Sequence, residues 1–534
     1  MVAPMRTARL ACLSLLLTLV SLFGCGGKSS PLRQSSTGGA TGGGVAPQGG
    51  AGGQVPSGAG GAPDAGSVPD AGGAETAATS AVCPAEQKVG APTLSTDCQI
   101  AIRHVDPAST CGGANCAITK ALDLTCAFLP DAPWISATAD GAVVLVTTSD
   151  SDNIKALARL MTVEASSSRV EDVPALADPR MGLPYFSILN DAFSTASSGA
   201  KWLFAGETPG ITALHGTNAG WTRSTVVSLS DFNQEAYLTD VRMVDDRQGY
   251  LTYYSGDIWK PHLVTWDGSC WTDQLIGEAQ VETMVVETDA EKRPWVAWTS
   301  IEDSSRVESL NLRSPSGDTQ NLLANLTADA PGALLRLLPG GLDGTAAFPA
   351  IVANFSDGIR VLSNTTDSGW QSLVLPEWAA ATAGAGDCPE VAPSSSYSDQ
   401  CAGMTSCTYQ SSGVGSGFGL ARTQSGATFA AWVNYTSQGT YALKEAAYGG
   451  EMPQWYCSWT ETSGTGTAEL VVARLTAPEP TLSHFRFVMG GAVRYLTNDV
   501  AMVARGDTLV VAAYLSGDTV PTLTYLEIDS NLLP

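Results

Sequence analysis

The stretch Arg293-Pro294-Trp295-Val296-Ala297-Trp298-Thr299-Ser300 decides the fold. It is short, apolar at consecutive positions, and preceded by the polar turn Asp289-Ala290-Glu291-Lys292. A strand with one wet face alternates apolar and polar residues. A strand covered on both faces reads instead as a continuous apolar run. Runs of the second kind recur at Gly141–Thr148, Ala200–Glu207, Gly249–Ser255, Pro294–Ser300, Ala346–Asn354, Gly426–Tyr435 and Asp507–Leu515. With Val144, Leu203, Leu251, Val296, Ile351, Ala430 and Val510 as anchors, subtraction gives intervals of 59, 48, 45, 55, 79 and 80 residues. A four-stranded propeller blade takes about 45 residues, and the longer intervals leave room for insertions.

Each run has similar neighbours. Before it stand a second apolar stretch and a tight turn: Trp134–Thr138 with Asp140-Gly141, Val241–Val244 with Asp245-Asp246, Val500–Ala504 with Arg505-Gly506-Asp507. Asp-Gly and Gly-Asp pairs supply the positive φ of hairpin turns. After it comes an alternating strand such as Arg306–Leu312, Gly358–Leu362 or Thr522–Ile528. A last strand then opens on Trp, as in Asp367-Ser368-Gly369-Trp370, Asp267-Gly268-Ser269-Cys270-Trp271 and Asn218-Ala219-Gly220-Trp221. The pattern predicts an all-β chain: a β-propeller of about seven four-stranded blades with disulfide-stabilised loops. Blades packed face to face bury their inner strands on both sides, and the doubly apolar runs are expected to be those inner strands. A β-sandwich predicts one wet face on most strands, which these runs lack. The turns that lead into Trp resemble degenerate Asp-box turns of sialidase-like propellers, and the resemblance covers the turns alone.

The last repeat, Val500–Ala504, Thr508–Leu515 and Thr522–Ile528, has three strands before Pro534. A strand from within residues 98–128 is expected to complete it.

The N-terminus carries Arg6 and Arg9 and then the apolar stretch Leu10–Phe23, which has the build of a secretory signal. It ends in Leu22-Phe23-Gly24-Cys25, which resembles the lipobox of bacterial lipoproteins. The resemblance implies cleavage before Cys25 and acylation of that cysteine, palmitate included. Several acyl chains give stable anchoring where one is marginal. Gly26 rather than Asp follows the cysteine, which resembles the outer-membrane sorting rule of Gram-negative bacteria. The expected address is therefore the outer membrane, lipid-anchored, on its periplasmic or cell-surface face. Residues 25–82 are rich in Gly, Ala, Ser and Pro and hold too few large apolar side chains to offset the entropy of ordering, so they read as a disordered tether. The expected organisation is a signal peptide over 1–24, the tether over 25–82, a Cys-rich lead-in over 83–130, and the propeller over 131–534.

Twelve cysteines are present; Cys12 falls in the signal and Cys25 takes the lipid. The other ten are Cys83, Cys98, Cys111, Cys116, Cys126, Cys270, Cys388, Cys401, Cys407 and Cys457, disulfide candidates in an exported chain. Their pairing is not legible in sequence. Metal is not expected: the four histidines, His104, His215, His262 and His484, stand far apart, and Cys111 and Cys116 have no second matching pair. No cofactor is implied.

Two long insertions, Pro376–Gly417 and Gly439–Gly466, hold four of the cysteines. The second also carries Trp455, Tyr456 and Trp459, ligand-contact candidates because aromatic residues in a polar loop suit sugar stacking or partner docking. The alternative is a local minicore over a disulfide. Asp150, Asp152, Asp245, Asp246, Glu302 and Asp303 fall at strand ends, where carboxylates bind cations or, more often, form turns.

Lys and Arg total 28 against 52 Asp and Glu, a balance that argues against nucleic acid and against direct docking on anionic lipid. The chain has no Gly-x-Ser-x-Gly elbow and no His-Glu-x-x-His. No catalytic residue is assigned. The expectation is a lipid-anchored envelope protein that binds a protein partner or a glycan and touches the membrane through Cys25. The alternatives are an exported carbohydrate-active hydrolase or lyase, with paired carboxylates in a central funnel, and a purely structural envelope protein.

Overall fold

The computed structural model describes residues 79–534 except 114, 127–132, 150–155, 175–190, 208–209, 218, 230–235, 256–258, 304–305, 323–334, 356–357, 366–368, 376–381, 387–406, 415–416, 449–453, 476–479, 490–499 and 517–521. The described chain is nearly all strand and forms seven antiparallel sheets. Each is a blade. The innermost strands are, in chain order, Trp134–Ala137, Asp191–Thr195, Ala236–Asp245, Gln280–Thr288, Leu335–Leu338, Gly419–Arg422 and Val500–Arg505. Each touches the next, and the seventh touches the first, so the sheets close into a ring around a central channel.

The doubly apolar runs are the second strand of each blade, not the innermost. Gly141–Ser149 shows why. Ala142, Val144 and Val146 pack against Leu124 and Val510 of blade 7. Val143 and Leu145 pack against Phe193 and Leu203 of blade 2. Both faces are covered and both edges are hydrogen-bonded, to Trp134–Ala137 and to Ala156–Glu164. An innermost strand has one edge on the channel, so it tolerates polar side chains that a second strand does not.

Two sequence expectations about turns resolve differently. Gly268 and Gly506 take the left-handed conformation, with φ of 91° and 60°. Gly141 does not. There a Cβ would lie 1.8 Å from the Val163 carbonyl oxygen, so glycine is required by close strand approach. Gly141→Ala is expected to cost about 3 kcal/mol in urea denaturation. Gly113→Ala, where a Cβ meets nothing within 4 Å, is expected to be silent. Equal effects at the two positions would contradict this assignment. The Asp267 turn between the third and fourth strands of blade 3 is tied by its carboxylate, whose Oδ1 accepts from Ser269 N (2.8 Å), Cys270 N (2.8 Å) and Ser269 Oγ (2.7 Å). Ala219-Gly220-Trp221 leads into the fourth strand of blade 2, and Trp221 and Trp271 are each buried near the start of the fourth strand of their blade.

Blade 7 takes its fourth strand from Ile118–Cys126, which pairs antiparallel with Thr522–Asp529. Cys98–Ile102 adds a fifth strand outside it. The preceding residues continue as a belt along the outer rims. Thr93–Leu94 pairs with blade 1, Gln87–Gly90 with blade 2, and Thr79–Val82 with blade 3. Thr79–Val82, assigned to the tether by composition, is therefore a strand. Its partner Trp271–Leu275 is a blade edge whose free backbone groups bind any extended chain, whatever its side chains. Cys83–Cys270 and Cys98–Cys126 fasten the belt to blades 3 and 7. Cys111–Cys116 closes a loop outside the blade sheets.

The insertions in blade 6 are not loops throughout. Thr428–Tyr448 and Gln454–Arg474 form a hairpin of two 21-residue strands. Cys407–Val414, from the other insertion, pairs with its outer half from Asn434 to Tyr441, and Thr382–Gly386 pairs with Cys407–Val414 in turn. The two insertions thus build one sheet extension. Cys388 and Cys401 lie outside the described residues, and Cys407 and Cys457 lie on described strands whose side chains there are not described.

Candidate functional site

The seven innermost strands and the turns beside them enclose a channel of about 1660 Å³. Its wall is polar on one side, along blades 3 to 5. An innermost strand leaves backbone N–H groups with no partner within its own sheet. Side chains from the neighbouring blade meet several of them. Thr195 N donates to Ser136 Oγ (3.2 Å), Met243 N to Ser194 Oγ (3.0 Å), and Val286 N to Asp240 Oδ2 (2.9 Å). A serine hydroxyl suffices for this tie in blades 1 and 2. Blade 3 uses a carboxylic acid.

Asp240 Oδ1 also accepts from Val241 N (2.9 Å). The group lies deep in the channel wall yet keeps part of its surface open to the channel. Burial pushes its pKa up to about 7, against the pull of the Val286 N–H and the Arg336 guanidinium, and the nearby Glu287 carboxylate adds to the rise. Glu287 is held in turn. Arg242 Nε lies 2.8 Å from its Oε1, and Thr288 N donates to the same oxygen at 3.0 Å. Arg336 donates from Nη1 to Leu335 O (2.8 Å), and its guanidinium carbon lies 5.7 Å from the Phe418 ring centroid. Asp240 and Arg242 come from one strand, Glu287 from the next blade, and Arg336 from the blade after. The wall thus presents an acid that titrates near neutrality, a carboxylate–guanidinium pair and a second guanidinium. These groups can donate to and accept from a polyhydroxylated ligand, and a neutral Asp240 can donate a proton.

An aromatic cluster, outside the residues that line the channel, lies where the second strand of blade 3 leads to its third. Tyr237 and Tyr254 stack with centroids 5.0 Å apart, and Trp259 stands 5.8 Å from Tyr254. Trp259 is 38% exposed.

The residues singled out from sequence fare differently. Trp455, Tyr456 and Trp459 lie on the strand Gln454–Arg474, opposite Ala447, Ala446 and Leu443, in the outer half of the hairpin. Their side chains are not described. Asp245 and Asp246 are structural ties between blades: Lys292 Nζ donates to Asp245 Oδ2 (2.9 Å), and Ser198 Oγ to Asp246 Oδ1 (2.6 Å). Asp150 and Asp152 fall outside the described residues; Glu302 and Asp303 end the strand Pro294–Asp303, and their side chains are not described. Asp240, Arg242, Glu287 and Arg336 escaped the sequence reading. The available signal was two charged residues, Asp240 and Arg242, inside an otherwise apolar stretch that leads into a turn.

No protein-family model and no curated protein matches this chain in sequence. Solved structures of neuraminidase-like proteins and of sialidases align with it. The subtype N10 neuraminidase-like protein of A/little yellow-shouldered bat/Guatemala/060/2010 covers 78% of this chain and 99% of its own, at 8% identity and a TM-score of 0.32. The Trypanosoma rangeli sialidase in complex with the inhibitor DANA covers 83% and 92%, at 9% identity and a TM-score of 0.27. Likenesses at this level carry no argument about chemistry, which rests on the residues of this chain.

Proposed function

We propose that this protein is an exported, lipid-anchored propeller that binds a glycan at the polar side of its central channel. The observation that carries the reading is the wall of Asp240, Arg242, Glu287 and Arg336, contributed by three consecutive blades. Paired charged donors and acceptors fix the orientation of hydroxyl groups. The lipobox-like Leu22-Phe23-Gly24-Cys25 supports anchoring through acylated Cys25, and the outer membrane is the proposed address. Cys25→Ser is expected to move the protein from the membrane fraction to the soluble fraction, measured by fractionation. Retention in the membrane would contradict the anchor.

The binding test uses the purified, oxidised protein against a panel of cell-wall and extracellular polysaccharides. Retained protein and released reducing sugar are read from the same wells. Retention without release is expected, and Arg242→Ala is expected to weaken it about ten- to a hundredfold, since a charged hydrogen bond contributes about 1.5–3 kcal/mol. Retention that is unchanged in Arg242→Ala would place binding elsewhere.

A second reading, a carbohydrate-active hydrolase, is favoured by one observation. Asp240 titrates near 7 beside a second carboxylate, Glu287, which is the pairing that an acid and a base or nucleophile require. Sugar release that Asp240→Asn abolishes would establish it over simple binding.

A further inference from the structure

Blade 3 carries a second constellation, away from the channel. Its second strand, Gln248–Ser255, third strand, Lys260–Trp266, and fourth strand, Trp271–Leu275, are neighbours in that order. Side chains two apart on a strand share a face, so Tyr253 and Ser255 do. His262 stands directly opposite Tyr253, and Asp273 directly opposite Val264, two residues beyond His262. The register therefore brings Tyr253, Ser255, His262 and Asp273 onto one face of the sheet.

Their polar atoms meet in sequence. Ser255 Oγ lies 3.2 Å from His262 Nε2. His262 Nδ1 lies 3.0 Å from Asp273 Oδ1. Tyr253 Oη donates to Asp273 Oδ2 at 2.7 Å. An ionised carboxylate only accepts, so His262 Nδ1 carries the proton, and Nε2 is left to accept from the Ser255 hydroxyl. The imidazole is further fixed by stacking on the Tyr253 ring, with centroids 4.6 Å apart and planes at 24°. Tyr253 is fully buried, while the side chains of His262 and Asp273 keep 17% and 15% of their surface exposed. The belt strand Thr79–Val82 pairs along the outer edge of Trp271–Leu275, with Ser80 opposite Asp273, and the Cys83–Cys270 disulfide fastens it there. The relay is thus braced on both sides, with its serine at the loop end of the blade.

We propose that Ser255, His262 and Asp273 form an acyl-transfer site that hydrolyses carboxylic esters, with Ser255 as nucleophile, His262 as general base and then general acid, and Asp273 and Tyr253 as positioning residues. Ser255 Oγ forms a bond to the acyl carbon as the carbonyl π pair moves to oxygen. The hydroxyl proton passes to His262 Nε2. The tetrahedral adduct collapses, the bond to the alcohol oxygen breaks, and that oxygen takes the proton from Nε2. Water then repeats the sequence on the acyl-serine, releases the carboxylic acid and restores the hydroxyl. No redox partner or metal enters the balance. The site is independent of the channel, so it stands or falls apart from glycan binding.

The test is labelling of the intact oxidised protein with a fluorophosphonate, followed by peptide mapping, together with hydrolysis of p-nitrophenyl acetate. Modification at Ser255 is expected. Ser255→Ala is expected to abolish labelling and to lower kcat/KM about 10³-fold or more, and Asp273→Asn to lower it similarly because the tautomer is no longer enforced. Tyr253→Phe is expected to lower kcat modestly and leave Ser255 the labelled residue. A folded wild-type protein that shows no modification at Ser255 overturns the proposal. So does ester hydrolysis that survives Ser255→Ala, which would mark the cluster as a set of hydrogen bonds that satisfies a half-buried histidine.

Discussion

A chain that begins at residue 127 is expected not to fold. It lacks Ile118–Cys126, the fourth strand of blade 7, and with it Ala121, Leu122, Leu124 and Cys126, all at most 6% exposed in the intact protein. The two leucines contribute about 3–6 kcal/mol by burial, which reaches the lower end of the whole stability of an ordinary domain. The edge left behind, Thr522–Asp529, carries Leu523, Tyr525, Leu526 and Ile528, each at most 1% exposed when paired. An open strand of that composition is an aggregation site. A chain that begins at residue 103 keeps the fourth strand and loses the fifth, Cys98–Ile102, and the belt, with the two disulfides to blades 3 and 7. It is expected to fold with reduced stability. In the chain-entropy reading the Cys83–Cys270 bond alone, which closes a separation of 187 residues, contributes about 5 kcal/mol. Solubility and circular dichroism of the two truncations provide the check. A cooperatively folded chain from residue 127 would show that the N-terminal strand decorates the ring rather than closes it.

The stability of the wild-type protein is expected to fall between about pH 4 and pH 7 by a component that Asp240→Asn lacks. In the folded state the Asp240 pKa is raised from 3.8 to about 7 by burial. A raised acid holds its proton more tightly folded than unfolded, so the folded state binds more protons throughout that window. Stability is therefore lost as pH rises from the unfolded pKa to the folded one and is level beyond it. At about 1.36 kcal/mol per unit the ceiling is about 4 kcal/mol, and contact with channel water lowers it. The net charge of −24 adds its own slope from the many acids. The difference between the wild-type and variant curves isolates Asp240. Parallel curves across pH 4 to 8 would show that the carboxyl titrates normally.

A propeller of about seven blades was legible because close packing on both faces writes itself into consecutive residues such as Val143, Val144 and Leu145. The position of those residues within the blade was not legible. The channel side of the neighbouring strand differs from the covered strand only by residues such as Ser136, Ser194 and Asp240, which read as ordinary polar interruptions. The belt left almost no trace. Gln87–Gly90 and Thr93–Leu94 are largely exposed and hold their places through backbone hydrogen bonds, which any side chain permits. The aromatic residues Trp455, Tyr456 and Trp459 looked like loop residues because glycine and serine surround them, yet they belong to a strand. Candidate chemistry was the least legible part. Asp240 meets Glu287 only through the packing of two blades, and Ser255, His262 and Asp273 meet only once three strands are set in register.

The most direct measurement is amide hydrogen exchange of the oxidised protein with and without an oligosaccharide cut from whichever polysaccharide the panel retains. Protection is expected in Ala236–Asp245, Gln280–Thr288 and Leu335–Leu338, the three strands that bear Asp240, Arg242, Glu287 and Arg336. It is expected to vanish in Arg242→Ala at the same ligand concentration. Protection confined to the blade 6 hairpin, Thr428–Tyr448 and Gln454–Arg474, with the channel strands unchanged, would contradict the assignment of the channel as the binding site.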